Sequence, residues 1–441
     1  MPERELSLAE TLARKLDYDQ LVNCMRCGFC LPACPTFGET GLEQESPRGR
    51  IAQMKAVADG LMMPDDAFRT QMDHCLGCRA CETVCPAGVQ YGRLIEQARE
   101  AIAEHPVYPV RVKVIRNLTF RRLFPHPKRL NRLGGLVRFY QTSGLQRAAR
   151  KSGALRLLPE HLQAMEAVMP DASGQGVVGL AGEFHPARGE PIARVGLFRG
   201  CIMDVLFART NVNTVNLLTA AGFDVVIPDA QNCCGALQAH GGETEIARDL
   251  ARKNIRAFKE AGVDFIVTNA GGCGALLAEY DQLLEEDGAI REDAAWFAER
   301  VVDVSRLIVE RGRIPVFREK ERRKVRITYQ DSCHLRNVMK SGAYPRTLLR
   351  RVENAEFVEM AEADRCCGSA GIYNLTQPEM SGRILKRKME HANRTKADYL
   401  LTSNPGCWLQ MKHGTRQHPG ESPMEVMHIV DYLWERIAEM P

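Results

Sequence analysis

The chain has 441 residues, 45% apolar and 26% charged, enough for about three domains with sizeable cores. That balance excludes a disordered or collagen-like chain, and no run approaches the roughly 20 apolar residues that span a bilayer. Net charge is only +4, yet the interval between Glu104 and Glu160 holds 13 Lys and Arg and no acidic residue, so the rest is net acidic.

The first segment, Met1 to Gln20, mixes both charge signs and is no secretory signal. It predicts an amphipathic helix with Ser7 and Glu10 as a capping box. Next comes Cys24, Cys27, Cys30, Cys34-Pro35, and later Cys75, Cys78, Cys81, Cys85-Pro86. The pattern C-x2-C-x2-C-x3-C-P is the bacterial signature of paired [4Fe–4S] clusters, whose fourth Cys ligates the other cluster. It assigns one cluster to Cys24, Cys27, Cys30 and Cys85, and the other to Cys75, Cys78, Cys81 and Cys34. Structural zinc favours two C-x2-C pairs at longer separation, and a disulfide framework needs an oxidising compartment; neither suits two copies of one pattern. So many thiols without an export signal point to a reducing cytoplasm. Between the motifs, Ser46 as N-cap and Pro47 at the first helical position predict a helix to about Ala58 that stops near Gly60. Arg48 and Arg50 on that helix would raise a cluster potential if they lie beside it; otherwise they are surface residues. Residues 1–108 therefore read as a helical, two-cluster ferredoxin-like domain.

Residues 109–190 read as a basic connector, broken by Pro125, Pro127 and Gly134-Gly135, then a flexible linker over 171–190. Its cations interleave with Val, Ile, Leu and Phe, as in Val110 to Arg116 and Phe120 to Phe124. This composition suits peripheral contact with an anionic membrane, an acidic partner, or a solvated helix; no base-reading motif accompanies it, so nucleic acid is not expected.

From 191 strands and helices alternate. Strands are predicted at 193–198, 224–227, 264–268, 325–329, 356–358 and 398–402, with helices over 246–260 and 380–393 among them. Two further thiol sets sit just past these strands: Cys201, Cys233, Cys234 and Cys273, then Cys333, Cys366, Cys367 and Cys407. The spacings are nearly equal, so this is an internal repeat. The fold expected is multidomain α and α/β: the helical domain, then two α/β domains with parallel sheets over 191–320 and 321–441, packed as a pseudo-twofold pair. Ligands of such sheets gather at the carboxyl ends of strands, so each set of four should converge to hold a further iron–sulfur cluster or zinc.

Each repeat resembles a CCG domain, as in heterodisulfide reductase, anaerobic glycerol-3-phosphate dehydrogenase and lactate-utilisation subunits. A narrower resemblance rests on Cys24 to Thr36, Ser46 to Ile51, Cys75 to Val89, Gln231 to Ala236, Gly272 to Ala275 and Arg365 to Tyr373. These are similar to the iron–sulfur subunit of glycolate oxidase (glycolate dehydrogenase) over nearly the whole chain. The resemblance implies an electron-transfer subunit of an oxidoreductase complex, with no catalysis alone. A partner flavoprotein carrying FAD would oxidise glycolate to glyoxylate, and electrons would leave to a quinone-type acceptor. The chain has no G-x-G-x-x-G after a strand, hence no flavin fingerprint of its own. Lactate or glycerol 3-phosphate as the partner's substrate, and a heterodisulfide-type thiol centre, are the alternatives. Against the last, Ala270, Asn404, Leu276 and Gln410 stand where a fifth thiol would be; His334 is a substitute ligand only if it is not packed elsewhere.

Overall fold

The computed structural model describes residues 6–105, 108–321 and 323–439. Met1–Glu5, the start of the expected first helix, lie outside the described residues. The capping box holds, since in the helix Leu8–Lys15 the Ser7 hydroxyl accepts from the Glu10 N–H and the Glu10 carboxylate accepts from the Ser7 N–H, but the helix stops at extended Leu16 and a second one, Tyr18–Val22, starts from the Asp17 cap. The helix Pro47–Ala58 starts as the sequence requires, with the Ser46 hydroxyl accepting the Gly49 N–H at 3.0 Å. These helices pack with Asp66–Asp73 and Tyr91–Glu104 around Leu12, Met54, Met72, Leu94, Ile95 and Ile102. Each such side chain contributes about 1.5–3 kcal/mol on burial.

Two expectations for the connector are corrected. Gly134-Gly135 do not break it: one helix runs Pro127–Thr142 through both. A Cβ on Gly134 would lie 3.0 Å from Val205 Cγ1, so this glycine serves close packing rather than a bend. Nor is 171–190 a plain flexible linker. Val177 is fully buried on the short helix Val177–Ala181, and its N–H donates to Asp204 Oδ1 at 2.7 Å. Phe184–His185 then joins the sheet as an edge strand.

Among the described residues twelve strands follow: β1 Phe184–His185, β2 Ala193–Leu197, β3 Phe223–Val226, β4 Phe265–Thr268, β5 Val301–Asp303, β6 Val316–Arg318, β7 Val325–Tyr329, β8 Val352–Glu353, β9 Ala355–Phe357, β10 Tyr399–Thr402, β11 Glu425–His428 and β12 Ile437–Glu439. The first sheet has the order β1-β3-β2-β4-β5, parallel except for β1. The second is β11-β10-β7-β9, parallel throughout. Setting β1 aside, both halves have one strand order, so the cysteine repeat is also a repeat of fold. A small sheet, β12-β6-β8, ties the chain end to the crossover between halves.

The halves pack as a pseudo-twofold pair. Ala208–Ala220 of the first half lies against Ile429–Glu435 of the second, and their counterparts Ala343–Leu349 and Val304–Glu310 repeat the contact. One buried core takes Val195, Leu197, Val225, Ile327, Tyr329, Leu401 and Tyr432 from both sides. Asp431 accepts hydrogen bonds from Thr210 and Asn213 across the seam, at 2.7 and 2.8 Å.

Candidate iron–sulfur sites

All sixteen cysteines are free thiols. In the N-terminal unit both cysteine loops bend the same way. Arg26 and Gly28 in the first, and Gly77 and Arg79 in the second, take the left-handed backbone conformation at matching positions. For an arginine that conformation costs on the order of 1 kcal/mol, strain that a binding loop retains to aim its side chains. The first loop opens on a surface pocket whose lining includes Cys24, Cys27, Cys30, Cys81 and Cys85. Cys85, from the second motif, thus faces the first three thiols. Cys34 is buried, 3.3 Å from the Thr36 hydroxyl, and its charge bears on Cys78 and Cys81 of the second motif as well as on Cys30. Burial first, then neighbouring thiols, pushes Cys78 and Cys81 well above the usual thiol range.

The two arginines of the insert separate. Arg48 is partly exposed, paired with Glu43 at 2.6 Å and donating to the Arg26 carbonyl at 2.9 Å. Arg50 is 1% exposed and not a surface residue. It holds Glu45 (2.6 Å) and the Gln71 carbonyl (2.8 Å), and its charge faces Cys75 and Cys34.

In each repeat the four thiols do converge beyond the strand ends. Cys201 and Cys233 lie in sulfur–sulfur contact at 3.3 Å, and the contacts continue through Cys234 to Cys273. The second set runs alike, from Cys333 through Cys366 and Cys367 to Cys407. The glycine of each Cys-Cys-Gly, Gly235 and Gly368, has positive φ and lies where a Cβ would meet Ala247 or the Ser381 carbonyl. Only glycine lets this turn close on the following helix.

The donors suit an iron–sulfur cluster or zinc, both of which soft thiolates select. A second observation concerns charge. Lys388 is 2% exposed, donates to the Glu362 carbonyl, and has Cys367 and Cys366 as its foremost charge partners. A buried ammonium needs a compensating anion, which a thiolate-bound cluster supplies.

The positions of the absent fifth thiols are otherwise occupied. Ala270 and Leu276 are buried apolar contacts. Asn404 donates to Cys407 Sγ at 3.6 Å, and Gln410 donates to Ser381 at 2.9 Å. His334 is a packed residue: its Nε2 donates to the Gly77 carbonyl at 3.0 Å, and burial lowers its pKa to about 4.

The sequence left unread how the sets adjoin. Cys78 and Cys366 share one buried cluster with Leu76, Tyr373 and Ile384, with Cys333 packed against it. Asn337 donates to the Cys78 carbonyl (2.8 Å), Tyr373 to that of His74 (2.9 Å) and Arg365 to that of Cys34 (3.2 Å). Between the repeats, Gly272, beside Cys273, donates to Asn404 Oδ1 at 3.1 Å, and Asn404 in turn reaches Cys407. The four sets therefore form a series: the opening at Cys27, the set of Cys78, that of Cys366, and that of Cys273.

The chain matches family models for a 4Fe-4S dicluster domain over 20–89, the linker region of the glycolate oxidase iron-sulfur subunit over 111–169, and the cysteine-rich domain over 195–278 and 327–412. It is 48% identical to the probable glycolate oxidase iron-sulfur subunit of Bacillus subtilis over 435 residues, 98% of both chains. To the glycolate oxidase iron-sulfur subunit of Escherichia coli it is 30% identical, covering 90% of this chain and 91% of that one. Lactate utilization protein A of Oceanobacillus iheyensis is 30% identical but matches only 54% of this chain. Full-length likeness, together with thiol sets laid out for iron–sulfur groups, makes this chain a member of the glycolate oxidase iron–sulfur subunit family.

Proposed function

We propose that this chain is the electron-carrying subunit of a glycolate dehydrogenase, taking electrons from FAD on a partner flavoprotein and delivering them to a quinone-type acceptor. The observation that carries this reading is the unbroken series of thiol sets. Cys24, Cys27, Cys30 and Cys85 would hold one [4Fe–4S] cluster, and Cys75, Cys78, Cys81 and Cys34 a second. Cys201, Cys233, Cys234 and Cys273, with Cys333, Cys366, Cys367 and Cys407, would hold the groups of the repeats. Such clusters supply one-electron chemistry, and the protein supplies position and electrostatics. Exposed Cys27, beside exposed Met25 and Phe29, gives the series a face open to the partner. The glycolate assignment draws on the relatives' names; the lactate relatives match only half of the chain.

The test is the native complex, purified without oxygen through a tag on this chain and assayed for glycolate-dependent dye reduction. Reduction with glycolate well above lactate is expected, with none by the chain alone. Preference for lactate or glycerol 3-phosphate would keep the relay and change the substrate. Activity without any flavoprotein would overturn the reading.

The connector is proposed as a membrane-docking face. Val110, Val114, Ile115, Leu118, Leu136 and Phe139 are exposed among its cations. No helix among the described residues is long and apolar enough to cross a membrane, so contact would be peripheral. Each surface cation is worth about 1 kcal/mol toward an anionic bilayer. Replacing Arg121, Arg122, Lys128 and Arg129 with Gln should weaken sedimentation with phosphatidylserine vesicles by on the order of 10²–10³-fold. Unchanged sedimentation would show that the connector is not the anchor.

A further inference from the structure

The two cysteine-rich sites share a fold but not a charge. The 134-residue offset that relates Ala247 to Ser381 and Cys273 to Cys407 also relates Asn254 to Lys388. In the first repeat Asn254 is buried and neutral. Its amide donates to the Cys233 carbonyl at 3.0 Å and to the Tyr280 hydroxyl at 3.0 Å, and its oxygen accepts from the Asn232 N–H at 2.7 Å. In the second repeat Lys388 takes that place, equally buried. Its ammonium donates to the Glu362 backbone carbonyl, and its foremost charge partners are Cys367 and Cys366, ahead of Asp364 and Asp331.

We infer that Lys388 sets the second cysteine-rich site at a higher reduction potential than the first, so that electrons rest at the Cys333, Cys366, Cys367 and Cys407 set. Reduction adds one electron and makes or breaks no bond. The reduced state is more negative by one charge, and a fixed buried cation stabilises it more than the oxidised state. The first site, with an amide in the same place, lacks this bias. This inference rests on the reading of the second repeat as an iron–sulfur site.

The experiment is a potentiometric titration of the purified full chain, followed by electron paramagnetic resonance, with iron counted in each sample. Wild type, Lys388→Gln and Lys388→Arg are compared. In Lys388→Gln one signal should move at least tenfold in its reduction equilibrium toward the oxidised form, 59 mV for a one-electron couple. Lys388→Arg, which keeps the charge, should leave that signal near its wild-type position. Unchanged potentials in Lys388→Gln at full iron content would overturn the inference. Loss of iron from Lys388→Gln but not from Lys388→Arg would also overturn it, in favour of a purely structural counter-charge. About eight irons per wild-type chain would instead defeat the prior reading of a cluster in the repeats, whereas twelve or more with unmoved potentials would defeat the inference alone.

Discussion

Cys34→Ala should strip about four irons from the chain and abolish glycolate-dependent electron transfer, although every other thiol of its motif remains. The reason is the crossing of the two motifs. Cys34 follows Cys30 by four residues, yet its sulfur is buried toward Thr36 and the Glu45 carbonyl, and its charge is felt by Cys78 and Cys81. Cys85→Ala should do the converse and disturb the set at the cavity of Cys24, Cys27 and Cys30. Iron content and paramagnetic resonance of the two variants separate the cases. Identical spectra in both, or loss of the Cys24 set in Cys34→Ala, would refute the crossed assignment.

Arg50→Met should destabilise the N-terminal unit by about 3–5 kcal/mol, the usual cost of leaving one partner of a buried ion pair alone. Arg50 satisfies Glu45, the Gln71 carbonyl and Thr36, and Glu45 also holds His74 at 2.9 Å. Without the guanidinium, the 4%-exposed Glu45 is left with His74 as its charge partner. The double change Arg50→Met with Glu45→Gln should recover a good part of the loss, since it removes the stranded charge. Thermal unfolding of the three variants checks this, and equal losses in single and double variants would count against it. The pair also gives a pH signature. Burial opposes ionisation of Glu45, but His74 and Arg50 outweigh it and hold the carboxyl below its ordinary value. Its contribution is present above the unfolded carboxyl pKa near 4.3 and is lost as pH falls through the lower folded value. The single Arg50→Met variant should therefore lose part of that acid dependence.

Much of this molecule was legible because its chemistry is local. The spacing of cysteines marked out the four thiol sets, and six strands were placed to within about a residue, since apolar runs lead into the thiols. The helix from Pro47 was read from Ser46 and Pro47 alone. What escaped depends on partners distant in sequence. Strands β6, β8 and β12 are only two or three residues long and exist through one another, not through a pattern of their own. Gly134 looked like a helix breaker because nothing in the sequence announces Val205 beside it. The glycines of 171–190 suggested mobility, whereas Asp204 captures that segment by the Val177 N–H. Nothing in the sequence singles out Lys388; only the equivalence of the two repeats, with Asn254 as its counterpart, marks it out.

The contacts over the second cysteine loop also dictate an order of biogenesis. The carbonyls of His74, Gly77 and Cys78 are closed over by Tyr373, His334 and Asn337, residues made more than 250 positions later on the ribosome. While synthesis is under way that loop lies open, and once the last repeat docks it is sealed. Iron delivery to the cluster proposed at Cys75, Cys78 and Cys81 would thus belong to the interval before docking. A chain that folds to completion without its metal would have to release these contacts to be repaired.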